Sequence, residues 1–151
     1  MSDERPVLDQ INLVTANIGA SVEFYRQLGL EIPEAPEGWN EHHRAADFTG
    51  GGDIDFDIDS DAFATYWGSE AVPTGPLLSF RVTARETVDA IYATLTAAGH
   101  RGLRAPYDTF WGSRYAIVED PGGVAVGVMS VPSEEHRTAP PDLSTFGQRP
   151  R

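Results

Sequence analysis

The feature that most narrows what this chain can fold into is an internal repeat. Val14-Thr15-Ala16 is followed by Val22, Tyr25 and Leu28-Gly29, and Val82-Thr83-Ala84 is followed by Val88, Tyr92, Leu95 and Gly99. A chain that repeats itself at this distance builds the same unit twice. In the first half, residues 7–15 alternate, with Ile11 and Leu13 opposite Gln10, Asn12 and Val14, as in a half-buried strand. The apolar spacing of Val22, Tyr25 and Leu28 then predicts a helix over 21–29, with Gly29 as its stop. Strands are expected at 30–32, 39–48 and 53–59, with a turn at 49–52 and a short helix over 60–67. Residues 68–76 read as a linker.

The second half restarts the pattern. Leu78, Phe80 and Val82 alternate with Leu77, Ser79 and Arg81, and a helix over 85–98 gathers Val88, Ile91, Tyr92 and Leu95 on one face. Strands follow around Leu103, at 115–119 and at 124–129, the last two joined by the turn Asp120-Pro121-Gly122-Gly123. Strand, helix and three strands therefore occur twice. This predicts an α+β fold of two βαβββ modules, 7–67 and 76–131, in one domain spanning 1–131. Each module is a curved mixed sheet with a helix on one face, and two such sheets form a semi-polar cleft. Residues 132–151, rich in Pro, Ser and charge, read as an extended or disordered tail.

Composition bounds the partners. A formal charge of −12 in 151 residues, with a pI near 4.5, sets the chain against nucleic acid and anionic membrane surfaces, since phosphates are repelled. No cysteine means no disulfide framework, thiolate metal site or cysteine nucleophile. No apolar run approaches a membrane span, and residues 1–10 lack the features of a signal peptide, so a cytoplasmic location is expected.

Two groups of residues carry the candidate chemistry. Tyr107, Phe110, Trp111 and Tyr115 fall within nine residues around Gly112-Ser113, in what reads as a loop entering a strand. Any one ring belongs as readily to a core; four together point to a wall for a flat ligand. Trp39 and Trp67 extend that aromatic set. The second group is the ladder Asp53, Asp55, Asp57 and Asp59, opposite Ile54, Phe56 and Ile58. Four carboxylates on alternate positions repel one another unless solvated or paired. The expectation is that Asp53 and Asp59 are solvated while Asp55 and Asp57 face the cleft, partnering Arg81 or Arg114 or a ligand. His42 and His43 are adjacent in what reads as a strand, so at most one of them faces the cleft.

The repeated βαβββ pattern, LDQINLV with S.EFY..LGL, and the closing RYAIVEDPGG resemble the vicinal oxygen chelate superfamily of glyoxalase I, bleomycin-resistance proteins, extradiol dioxygenases and fosfomycin-resistance enzymes. The resemblance covers residues 7–131 and implies the glyoxalase/bleomycin-resistance fold. RETVDAIY, LTAAGHRG, PYDTFWGSRYAIVEDP and DS..F…W are similar to actinobacterial members of that group, some of whose relatives protect antibiotic producers by holding aromatic drugs. The resemblance also implies a homodimer, and it places metal ligands at Gln10, Asp57, Leu77 and Gly127. Leu77 and Gly127 have no ligating side chain, so no metal and no cofactor is expected. The function expected is metal-independent sequestration of a planar aromatic natural product or antibiotic. The expected ligand-binding residues are Trp39, His43, Asp55, Asp57, Trp67, Tyr107, Phe110, Trp111 and Tyr115, with no catalytic residue. The alternatives are a metal-dependent lyase, isomerase or dioxygenase using Gln10, Asp57 and His42 or His43, or a metal-free enzyme with Asp57 or a His as base.

Overall fold

The structure, a computed structural model, describes residues 4–48, 52 and 54–145. Its contacts divide these into two compact units, one built on Leu77–Pro141 with the residues up to Leu8, the other on Asp9–Pro76 with the residues from Asp142. The architecture is mixed α+β, as the repeat predicts.

In the unit holding the first repeat, β1 (Val7–Thr15) runs parallel to β3 (Asp55–Ser60), pairing Gln10 with Asp55 and Thr15 with Ser60. The short β2 (His43–Ala45) lies antiparallel on the other side of β3, with His43 opposite Asp59 and Ala45 opposite Asp57. Alternation gives the two sheet faces different chemistry. Phe56 and Ile58 pack beneath α1 (Ile18–Leu28), whose Ile18, Val22 and Tyr25 close the cluster with Leu30, Ile32 and Ala46. Gln10, Asn12, His43, Asp55, Asp57 and Asp59 occupy the opposite face. Asn17 caps α1 by accepting from the Ala20 N–H, and Gly29 ends it at φ 117°. Ser60 caps α2 (Asp61–Trp67) by accepting from the Phe63 N–H.

In the unit holding the second repeat the strand order is β4 (Gly75–Val82), β7 (Ala125–Ser130), β6 (Arg114–Glu119), β5 (Gly102–Asp108). β4 and β7 are parallel, and the other pairs are antiparallel. α3 (Arg85–Ala97) lays Val88, Ile91 and Tyr92 on Val82, Ala116 and Val128. By the same alternation Leu77, Ser79, Arg81, Tyr107, Tyr115, Ile117, Gly127 and Met129 lie on the face away from α3. Asp120 closes the β6–β7 turn as expected, its Oδ1 accepting from the N–H groups of Gly122 and Val124.

Several expectations are corrected. Residues 39–42 form turns, with the N–H groups of His42 and His43 both donating to the Trp39 carbonyl, so the strand expected over 39–48 shrinks to β2. Pro36 and Gly38, the latter at φ 88°, reverse the chain just before it. The expected strand at 30–32 is a single bridge between Glu31 and Asp47. Tyr107 lies on β5, not in a loop. The turn residues 49–51 and Asp53 lie outside the described residues, as do 146–151 of the tail. The start of the tail is exposed but hydrogen-bonded to the rest of the chain. The Ser133 N–H donates to Gly112 O, the Thr138 N–H donates to Phe110 O, and Glu134–His136 forms a 3-10 turn.

Gly112 is what allows Ser133 to come this close. It sits at φ 96°, and an added Cβ would stand 2.3 Å from the Ser133 carbonyl oxygen. Gly112→Ala is expected to destabilise the protein by about 1–3 kcal/mol, read from the urea midpoint, because a side chain meets both a strained backbone and a rigid carbonyl there.

Candidate functional site

The face of the β2–β3–β1 sheet away from α1 carries a connected polar network. Asp59 is 1% exposed, so its carboxylate needs partners within the protein. Two neighbouring strands supply them: His43 Nδ1–H donates to Oδ1 at 2.5 Å from β2, and Asn12 Nδ2–H donates to Oδ2 at 3.0 Å from β1. Gln10 Nε2 donates both to Asn12 Oδ1 and to Asp57 Oδ2, each at 2.9 Å. His43 Nε2 stands 4.0 Å from the same Asp57 oxygen. Gln10, Asn12, His43, Asp57 and Asp59 thus form one cluster on a single sheet face. Trp39 and Phe63 border its histidine, with ring centroids 6.5 and 5.9 Å from the imidazole and 5.1 Å from each other.

The electrostatics follow from burial. Burial pushes the Asp57 carboxyl up to about 7, the nearby carboxylates of Asp59 and Asp55 push the same way, and His43 only partly opposes them. Burial alone would lower the His43 imidazole, but the hydrogen bond and charge of Asp59, with the charge of Asp57, outweigh it and leave its pKa raised.

Of the residues expected from the sequence, His43 and Asp57 converge here and Trp39 borders them. Asp55 shares the face but is exposed. Asp59, expected to be solvated, is buried because it is the acceptor that holds His43 and Asn12. His42 points elsewhere, its Nδ1 3.1 Å from Ser60 Oγ. Trp67 is buried at 3% exposure on α2 and belongs to the core. Arg114 pairs with Asp89 and Asp108 instead of Asp55 or Asp57, and Arg81 is exposed. Asn12, Asp59 and Phe63 were not among the expected site residues. Alternation on β1 and along the aspartate ladder does put Asn12 and Asp59 on this face; for Phe63 the sequence gives no signal.

The second-repeat unit brings the other four expected residues together. Phe110 meets Trp111 edge-on at 5.1 Å, Trp111 meets Tyr115 at 6.2 Å, and Tyr115 meets Tyr107 at 6.1 Å. Trp111 Nε1–H donates to Met129 Sδ at 3.3 Å, and the Arg104 guanidinium lies 4.0 Å above the Tyr107 ring. Tyr115 is 4% exposed; the other three rings are half-buried.

The sequence matches the Glyoxalase/Bleomycin resistance protein/Dioxygenase superfamily over residues 7–128. The chain belongs to this superfamily. Solved structures agree on the fold. A Legionella pneumophila protein described as an NAD-dependent benzaldehyde dehydrogenase is 18% identical with a TM-score of 0.59, over 81% of this chain and 97% of that one. Methylmalonyl-CoA epimerase from Mycobacterium tuberculosis is 18% identical with a TM-score of 0.55, over 89% and 94%. A variant of the Streptomyces coelicolor methylmalonyl-CoA epimerase is 22% identical with a TM-score of 0.52, over 86% and 100%. A comparison with curated proteins gives no match.

The metal positions implied by the superfamily resemblance do not fit a divalent ion in this chain. Leu77 is a buried hydrocarbon, 1% exposed. Gly127 has no side chain, and the Tyr115 ring lies where one would be, within 2.9 Å of an added Cβ. Gln10 turns its amide nitrogen, a donor, towards Asp57. Among the described residues no group of three or more His, Asp or Glu is arranged to hold a metal ion.

The two raised pKa values set a pH dependence. Asp57 and His43 both bind protons more tightly in the folded chain than in the unfolded one, so stability falls as pH rises. For Asp57 the fall runs from its unfolded value, about 4, to its folded value of about 7. For His43 stability is lost as pH rises from the ordinary imidazole range through its raised value. The melting temperature is expected to drop as pH rises from about 4 through about 7 and on through the raised His43 value, and Asp57→Asn is expected to flatten the part of that drop below about pH 7, as followed by thermal melts.

Proposed function

We propose that the protein binds a planar aromatic small molecule without a metal, in the manner of superfamily members that sequester natural products or antibiotics. The observation that carries this reading is the unbroken run of rings Phe110–Trp111–Tyr115–Tyr107, with three of its four members half-buried. Rings in edge and tilted contact with faces part-open offer a further ring about 0.5–1.5 kcal/mol per contact beyond area burial. Gly127 makes room for this arrangement, since a Cβ there would meet the Tyr115 ring at 2.8 Å. Within the same unit the Arg104 guanidinium, 4.0 Å above the Tyr107 ring, offers a polar group beside the rings. The reading carries with it a cytoplasmic homodimer, as the superfamily resemblance implies.

The competing reading, a metal-dependent lyase, isomerase or dioxygenase, needs donors that Leu77 and Gly127 lack. Purified protein incubated with Zn²⁺, Ni²⁺, Mn²⁺ or Fe²⁺ and then dialysed is expected to retain well under one equivalent; a stoichiometric ion would support the enzyme instead.

Binding itself is tested with enediyne and mitomycin-type compounds by quenching of tryptophan fluorescence. Submicromolar affinity is expected, weakened about tenfold or more by Trp111→Ala. Trp39 and Trp67 remain to report in that variant. Absence of binding across such a panel removes the reading.

A further inference from the structure

Two arginines hold the segment that follows α1. Arg26, in the last turn of that helix, donates from Nε at 3.1 Å and also from Nη2 to the Ile32 carbonyl. Arg44, on β2, donates from Nε at 3.3 Å and from Nη2 at 2.9 Å to the next carbonyl, that of Pro33. One oxygen of Glu34 stands 3.5 Å from Arg26 Nη2 and 3.7 Å from Arg44 Nη2. Both distances exceed the roughly 2.7–2.9 Å of a charge-assisted hydrogen bond, and the Glu34 side chain is 70% exposed, so this carboxylate is held loosely. Bracing the segment uses Nε and Nη2 of each arginine. Nη1 of each has no hydrogen-bond partner among the described residues, although Arg44 is only 7% exposed. A guanidinium fixed by one edge with its other edge unused is preorganised to take a carboxylate.

Arg26 also lines a cavity of about 410 Å³, a size at which small molecules are bound. Leu30, Ile32 and Pro33 give the cavity apolar lining, and Glu31 and Asp47 give it two carboxylates. These two residues are opposite each other in an antiparallel bridge, the Asp47 N–H donating to Glu31 O at 2.8 Å, so their side chains stand on the same face. Like charges in that position repel, and Glu31 makes no hydrogen bond or ion pair among the described residues. A cation between them relieves the repulsion. Cationic, anionic and apolar lining thus meet in one cavity. Leu30 and Ile32 belong to the cluster under α1, so the cavity is on the other side of the sheet from the Asp57–Asp59 network.

We propose that this cavity binds a zwitterionic amino acid or dipeptide with an apolar side chain. Its carboxylate accepts from Arg26 Nη1 in competition with Glu34, and Arg44 adds positive charge behind. Its ammonium sits between Glu31 and Asp47, and its side chain lies on Leu30, Ile32 and Pro33. The site is independent of the aromatic reading, which uses rings of the other unit.

The full chain is titrated calorimetrically with leucine and with leucyl-leucine, which differ in the span between their charges. At least one is expected to bind with a dissociation constant below about 1 mM. 4-Methylpentanoate, which lacks the ammonium, and 3-methylbutylamine, which lacks the carboxylate, are each expected to bind about tenfold or more weakly. Arg26→Gln and Glu31→Gln are expected to weaken the better zwitterion by about tenfold. Glu34→Gln is expected to tighten it about two- to fivefold, because the competing carboxylate is removed; a purely structural Glu34 gives no such gain. Thermal melts establish that each variant is folded. Glu31 has no partner to lose, so Glu31→Gln decides the matter should Arg26→Gln not fold. No heat from either zwitterion up to about 10 mM overturns the proposal. So does equal binding of the carboxylate or the amine alone, or unchanged affinity in Glu31→Gln.

Discussion

A carboxylate placed inside a sheet face is the constraint from which the first unit is built. Asp59 is almost wholly buried on β3, and an unpaired charge there would cost several kcal/mol. The strands on either side answer it, β2 with His43 and β1 with Asn12. Because both partners come from neighbouring strands, the same two hydrogen bonds that satisfy the charge also pin the register of the sheet. A slip of one residue in β1 or β2 would turn Asn12 or His43 to the helix-covered face and bring Ile11, Leu13 or Arg44 into its place. Register, charge and the exposure of His43 are therefore one decision.

The second unit solves a different problem on the equivalent face. Its sheet carries no charged ladder; it carries rings, and ring size has to be accommodated. Gly127 supplies the space into which Tyr115 leans, and the left-handed turn at Gly112 supplies the reversal that holds Phe110 and Trp111 beside it. The tail residues Ser133 and Thr138 hydrogen-bond the loop that bears these rings. Two homologous repeats have thus specialised, one in hydrogen bonding and acid–base character, the other in aromatic contact.

Membership of the superfamily fixes the framework and leaves the chemistry open. The resemblance implies ligands at Gln10, Asp57, Leu77 and Gly127, and here two of the four have no donor side chain. The surroundings of Asp57 are local to this chain: His43 Nε2 from β2 stands 4.0 Å away, and Gln10 bonds it through nitrogen. Burial raises the Asp57 carboxyl to about 7, so it keeps its proton towards neutral pH.

Much of this was legible in the sequence, because period and repetition are local properties. The alternation of residues 7–15, the helical spacing of Val88, Ile91 and Tyr92, the Asp120–Gly123 turn and the two VTA motifs follow from backbone geometry that needs no distant partner. Composition likewise settled that no cysteine chemistry is available. The misreadings share a cause. Residues 39–48 have no clear period, so their division into turns and a three-residue strand depended on where β3 offered an edge. Asp59 looked like the solvated end of a charged ladder until His43 and Asn12, 16 and 47 residues away, were brought against it. Arg114 found Asp89 and Asp108 for the same reason. The sequence by itself determined which residues share a strand face or a helix face, since that depends only on neighbours along the chain; the tertiary structure alone decided which charges are buried and with whom they pair, since burial and partnership are set by residues far apart in sequence.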